Sequence, residues 1–139
     1  MPVVSMKATI PASSAAVWET LRDFNGLQKF LPAITGSTVQ GASVGAVRTL
    51  TIQGGAQFVE RLEAYDEIER SFTYSIVTSP LPISGYLSTM RVRQLDNASC
   101  EVLWSSFFQA AGAPEAEVKA IIEGVYSAGF EGLRKLHGG

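Results

Sequence analysis

The sequence predicts an α+β domain: a seven-stranded antiparallel sheet, a long C-terminal helix laid against it, and two short helices after the first strand. Three observations predict this. Between residues 34 and 110 apolar and polar side chains alternate with a period of two, broken only by short turn-forming stretches. Residues 114–138 carry a helical apolar stripe with both ends marked. The breaks between strands are too short for the crossovers that parallel partners need, so neighbours pair antiparallel.

Taken in order, residues 3–10 read as the first strand, ending at Pro11. Ser13 or Ser14 caps a helix in which Val17, Leu21 and Phe24 share a face, with Trp18 beside them. Asn25-Gly26 ends that helix, because both residues tolerate positive φ. Leu27 to Leu31 forms a second short helical turn, stopped by Pro32. Strands follow at 35–40, 46–53, 56–66, 70–78, 84–95 and 99–110. Gly41 to Gly45, Gly54-Gly55, Asp66-Glu67, Pro80 to Pro82 and Asp96-Asn97 supply the turns between them. Pro114 suits the first position of the last helix, and Glu115 and Glu117 complement its positive end. Arg134, Lys135 and His137 sit at the other end. Its stripe is Val118, Ile122, Val125, Gly129, Leu133 and Leu136. Such a helix is roughly 33 Å long, close to the width of seven strands spaced ~4.8 Å apart. One helix therefore spans the sheet.

The composition excludes several functions. The 139 residues fit a single domain, 1–139, with no internal repeat. Charged residues make up 17% of the chain, against about 25% in an ordinary soluble domain. Eleven basic and 13 acidic residues leave a net charge of −2, so no nucleic acid is expected as a partner. The single cysteine, Cys100, excludes an internal disulfide and a multi-thiolate metal site. The single histidine, His137, leaves no Ser-His or Cys-His pair in a catalytic place. Neither a metal nor another cofactor is expected. No targeting segment and no apolar run near ~20 residues is present, which predicts a cytoplasmic protein without a membrane span. Asn97-Ala98-Ser99 matches a glycosylation pattern but reads as a turn.

Strand parity sorts the side chains into two faces. Phe58, Glu60, Leu62 and Ala64 share one face, opposite Val59, Arg61, Glu63 and Tyr65. Phe72, Tyr74 and Ile76 belong with the first set, as do Tyr86, Ser88, Met90 and Val92, and Val102, Trp104, Ser106 and Phe108. This bulkier set is placed toward the long helix. It contains Glu60, a carboxylate that is costly to bury alone, and hydroxyls and an indole that need partners. A cavity admitting water or a polar ligand group would satisfy them. No lysine, arginine or histidine is read on this face. Gly129, mid-helix, costs about 1 kcal/mol against alanine and leaves room for a bulky strand residue or for a ligand. Val59, Leu87, Leu103 and Phe107 make the outer face apolar, and Arg91 and Arg93 lie there as solvated charges.

Residues 10–18 from Ile10 to Trp18, Asp23-Phe24, Phe30-Leu31-Pro32, residues 45–48 from Gly45 to Arg48, residues 60–66 from Glu60 to Asp66, residues 80–86 from Pro80 to Tyr86, and Trp104 resemble, in order and spacing, the START-like or birch-pollen-allergen-like helix-grip superfamily. The resemblance is to its polyketide cyclase/dehydrase-like branch, related to the abscisic acid receptors. It implies a helix-grip fold, in which a curved sheet wraps the C-terminal helix around a deep apolar cavity. By resemblance, Glu60, Tyr74, Tyr86 and Ser88 match cavity-lining positions of the receptors. Gln53-Gly54-Gly55 matches their gate loop, and Leu81-Pro82-Ile83 their latch loop. Gly54 replaces the gate proline, Leu81 and Pro82 replace the latch histidine and arginine, and the receptors' carboxylate-binding lysine falls near Gln28, beside Lys29. These departures argue against hormone reception by that mechanism.

The leading expectation is a protein that binds an apolar or aromatic, lipid- or polyketide-like small molecule. Glu60, Tyr86 and Ser88 would orient its polar group. Tyr74, Phe58, Leu62 and Ile76 would form the wall, with Met90, Trp104, Phe30, Val125 and Gly129. The alternative is a polyketide cyclase, aromatase or dehydratase, with Glu60 as general base and Tyr86 as acid. A third reading is an interaction module, a homodimer through the outer face. Cys100 reads as a packed residue without a base nearby.

Overall fold

The computed structural model describes residues 2–138. It runs β1 (Val3–Ile10), α1 (Ser14–Leu21), a 3-10 turn (Leu27–Lys29), β2 (Ile34–Gln40), β3 (Val47–Ile52), β4 (Gln57–Asp66), β5 (Ser71–Thr78), β6 (Ile83–Gln94), β7 (Cys100–Ala110) and α2 (Glu115–Leu136). The strands form one seven-stranded sheet in the order β1-β7-β6-β5-β4-β3-β2, with every neighbour antiparallel. The long helix packs on it, its C-terminal end tied to the start of the chain. His137 Nε2 lies 2.8 Å from Thr20 Oγ1, and Arg134 Nε donates to the Thr9 carbonyl at 3.3 Å.

The helix boundaries differ from those expected in three places. Ser13 is the cap of α1, its hydroxyl accepting from the Ala16 N–H at 3.1 Å, but the helix stops at Leu21 rather than at Asn25-Gly26. Gly26 has a φ of −109° and ends no helix through positive φ. The Asp23 side chain instead accepts from Asn25 N at 3.0 Å and turns the chain out of the helix. The second helix is a single 3-10 turn of three residues, so one α-helix follows β1, not two. Pro114 is the cap of α2 rather than its first residue, with a φ of −61° and an extended ψ of 142°. Its carbonyl accepts from Glu117 and Val118.

Besides a shift between Ile34 and Gly36 on β2, three register shifts curve the sheet. On β4 the shift between Leu62 and Ala64 reverses the parity beyond it. Ala64 is exposed, and Tyr65, expected on the outer face, packs its ring 5.6 Å from that of Trp18. A second shift lies between Val59 and Glu60. The third, between Ser84 and Leu87, contains Gly85 at a φ of 62°. Parity holds elsewhere: Phe72, Tyr74, Tyr86, Met90, Val92, Val102, Trp104 and Phe108 are all buried.

The buried face of α2 is Val118, Ile122, Tyr126, Gly129, Phe130 and Leu133. Val125 and Leu136, assigned to the stripe, are 42% and 47% exposed. The stripe is shifted because Tyr126 stacks on Trp104 at 4.1 Å and Phe130 meets the same indole edge-on at 6.2 Å. Two glycines make these approaches possible. A Cβ on Gly129 would lie 2.6 Å from Trp104 Cζ3, so Gly129 makes room for a strand residue rather than for a ligand. A Cβ on Gly132 would lie 1.8 Å from the Phe30 carbonyl oxygen, where the chain after the 3-10 turn crosses the helix.

Around Ile10, Val17, Cys100, Val102 and Leu133 the core is closed, each residue being fully buried. Burial raises the Cys100 thiol above its ordinary range, consistent with a packed residue. On the outer face Arg91 and Arg93 pair with Glu69 and Glu101 at 2.5 and 3.0 Å. Phe107 is exposed there, while Val59, Leu87 and Leu103 are half-buried. No helix among the described residues is long and apolar enough to cross a membrane.

Candidate functional site

Away from the closed end, the sheet and α2 diverge around a cavity of about 390 Å³. Strand parity and the curvature of β4–β6 aim Phe58, Glu60, Tyr74, Ile76 and Tyr86 into it, and β7 adds Trp104. Ile122, Gly124, Val125 and Tyr126 of α2 form the opposite wall, and Leu81 stands at the loop before β6.

Polar groups of the wall form two connected clusters. In the first, Arg48 on β3 sits directly across from Glu60 on β4. Its Nε and Nη2 reach Glu60 Oε1 at 2.8 and 2.6 Å, and its Nη1 donates to the Phe24 carbonyl at 3.1 Å. The guanidinium lies between two rings, 4.1 Å from the Phe24 centroid and 5.0 Å from that of Tyr74. Both contacts to Glu60 fall on Oε1. Oε2 takes no hydrogen bond among the described residues. The expectation that the inward face lacks a cation is therefore corrected: Arg48 shares the apolar parity of Ala46 and Leu50 and is buried with them. It stands behind Glu60 and does not itself line the cavity.

The second cluster joins three phenols, a serine and an indole. Tyr86 OH lies 2.5 Å from Tyr126 OH and 3.4 Å from Tyr74 OH. Tyr126 OH is 3.2 Å from Ser88 Oγ, which donates to the Ser105 carbonyl at 3.0 Å. Trp104 Nε1 points at Tyr74 OH and Ser88 Oγ, 3.2 and 3.0 Å away. Burial is the main cause that pushes all three phenols above the ordinary tyrosine range. They are donors and acceptors at neutral pH, not bases.

Of the residues anticipated for the site, Glu60, Tyr74, Tyr86, Phe58, Ile76, Trp104 and Val125 are brought together on the cavity wall. Ser88 stands one hydrogen bond behind it. Leu62 lines instead a second pocket, of about 470 Å³, together with Phe24 and Tyr65. Met90 is packed 1% exposed, and Phe30 rests against Gly132. Of the two loops, Leu81 lines the cavity. Pro82 and Ile83 are held by backbone bonds, from Ala111 N to the Pro82 carbonyl at 2.8 Å and from Ile83 N to the Leu81 carbonyl at 2.9 Å. Gln53 N bonds the Ala33 carbonyl at 2.9 Å, and Gly54 and Gly55 follow at φ values of 95° and 94° in open space. Sequence reasoning missed Arg48, Tyr126 and Gly124. Parity within 46–52 was a signal for Arg48, and the helical spacing from Ile122 to Gly129 admits Tyr126 as well as Val125.

Among the described residues no group of three His, Cys, Asp or Glu side chains is placed to hold a metal ion.

The chain is similar over 97% of its length to an uncharacterised protein from Bacillus thuringiensis, at 31% identity and TM-score 0.91, covering 98% of that chain. It is similar over 99% of its length to the protein XoxI from Bacillus cereus, at 31% identity and TM-score 0.93, covering 96% of that chain. The Zhui aromatase/cyclase from Streptomyces sp. R1128, at 18% identity, shares the fold with a TM-score of 0.82, over 96% of this chain and 92% of that one. No curated protein sequence matches. The model of the polyketide cyclase/dehydrase and lipid transport family matches residues 1–138. The chain belongs to that family.

Proposed function

We propose that the protein binds an apolar or aromatic small molecule, lipid- or polyketide-like, between the sheet and α2. The observation that carries this is the cavity itself. Its volume of about 390 Å³ lies within the range of roughly 300–1,000 Å³ typical of ligand sites. Its wall is apolar apart from one carboxylate, three phenols and an indole. That is the usual form of a binding site, a hydrophobic enclosure with a few fixed polar groups. The family description, which names lipid transport, supports the same reading.

Catalysis of the cyclase, aromatase or dehydratase type, with Glu60 as general base, has less support. The lining contains no cation to steady an enolate, and Oε1 of Glu60 is committed to Arg48. Association through the outer face rests on Phe107 and its half-buried neighbours alone.

Native mass spectrometry of protein purified from its own host tests the binding reading, together with titration of a neutral, environment-sensitive apolar dye. A small molecule retained under native conditions and lost on denaturation, or saturable dye uptake at one site, is expected. Neither retained mass nor dye uptake would overturn it.

A further inference from the structure

We propose that the cavity selects a neutral ligand whose hydroxyl donates a hydrogen bond to Glu60 Oε2, and that it discriminates against carboxylates and acceptor-only molecules. This deepens the ligand-binding reading and rests on it.

The hydroxyl protons of the wall are few and all engaged. Each hydroxyl carries one. Ser88 spends its proton on the Ser105 carbonyl. The Ser88–Tyr126 contact at 3.2 Å therefore has Tyr126 as donor. Tyr126 has no second proton, so Tyr86 donates across their 2.5 Å contact. By the same step Tyr74 donates to Tyr86 at 3.4 Å. The Trp104 N–H is shared between Tyr74 and Ser88. The chain thus runs in one direction, from Tyr74 to the Ser105 carbonyl, and it consumes every side-chain donor on the cavity wall. Because burial raises all three phenols, they keep these protons at any physiological pH. Ser106, whose buried hydroxyl has no partner, does not line the cavity.

What remains for a ligand is a set of acceptors: lone pairs of the phenol oxygens and, strongest of them, Glu60 Oε2. A hydroxyl satisfies them. A ketone, an ether or a carboxylate brings further acceptors to a wall with nothing to donate. Charge narrows the class again. Arg48 and Glu60 are 3% and 7% exposed at their side chains and balance each other. An ammonium or a carboxylate would lose its hydration in this enclosure without a counter-charge. Size limits it as well. At a water's share of ~30 Å³, a cavity of about 390 Å³ takes on the order of a dozen non-hydrogen atoms.

The test is calorimetric titration of the full chain with 2-naphthol, 2-methoxynaphthalene and 2-naphthoate, which share one ring frame. In the wild type 2-naphthol is expected to bind about tenfold tighter than the ether, with naphthoate weakest. In Tyr86→Phe, Tyr74 loses its acceptor, and its proton turns to the cavity or to Glu60. The advantage of 2-naphthol over the ether is then expected to shrink. The ether or naphthoate binding as tightly as 2-naphthol in the wild type, or an undiminished advantage in Tyr86→Phe, would overturn the selectivity while leaving ligand binding intact. Absence of binding by all three probes would overturn both readings.

Discussion

Helix α2 carries three glycines, and the same substitution at each should have a different sign. Replacing a mid-helix glycine with alanine is worth about 1 kcal/mol in helix propensity. At Gly124 a Cβ meets nothing within 4 Å, so Gly124→Ala should keep most of that gain, roughly 0.5–1 kcal/mol. At Gly129 the new Cβ would stand 2.6 Å from Trp104 Cζ3, and the indole cannot retreat freely because it is stacked on Tyr126 at 4.1 Å and bonded through Nε1. Overpacking of this kind costs about 1–3 kcal/mol, which leaves Gly129→Ala destabilised by roughly 0–2 kcal/mol. At Gly132 the obstacles are backbone atoms, the Phe30 oxygen at 1.8 Å and its carbonyl carbon at 2.7 Å. No rotamer relieves that clash, so Gly132→Ala should lose upwards of about 2 kcal/mol net. With roughly 4 °C per kcal/mol for a chain of this size, thermal melts followed by circular dichroism should rank Gly124→Ala above wild type, then Gly129→Ala, then Gly132→Ala. A Gly132→Ala variant melting at or above wild type would refute the close packing of Phe30, just after the 3-10 turn, on the helix.

Other consequences follow from the same contacts. Glu60→Ala leaves the Arg48 guanidinium buried without its partner and should cost about 3–5 kcal/mol in urea unfolding, whereas the double variant Arg48→Met/Glu60→Leu should recover most of the loss; a single variant as stable as wild type would contradict the burial of the pair. All four tyrosines are raised above their ordinary value of 10.0, with burial the leading cause in each. Since the unfolded phenols ionise first, their contribution to stability is intact below about pH 10 and is lost as the pH rises beyond it. Tyrosinate absorbance should therefore rise together with loss of tertiary structure, and ionisation of the buried phenols in a still-folded protein would count against the network. Gly124→Trp, whose side chain starts in open space at the cavity wall, should remain folded by circular dichroism but abolish uptake of a neutral apolar dye; unchanged uptake would place the dye elsewhere.

The elements of this fold were legible because strand parity and helix spacing are direct imprints of burial. Every strand boundary expected from alternation lies within one residue of the observed one. Parity failed where the chain inserts a residue: the bulge after Leu62 turned Ala64 out and laid the still-exposed Tyr65 against Trp18, and no local residue marks it. The site was half legible. Glu60 stood out because it broke an apolar face, but its partner did not, since the pairing of Arg48 with Glu60 depends on the register between β3 and β4. Tyr126 was hidden by Val125 beside it, because helical spacing alone allows either to face inward. The network that sets the direction of the phenol protons depends on distances between four elements, and these exist only after folding.

An internal site that receives a neutral donor at Glu60 should be visible in a crystal structure of the protein with 2-naphthol. The naphthalene ring is expected inside the cavity near Trp104 and Tyr126, with its hydroxyl within hydrogen-bond distance of Glu60 Oε2 and the Arg48–Glu60 pair unbroken. An empty cavity at saturating ligand, or a ring bound with its hydroxyl turned away from Glu60, would contradict it.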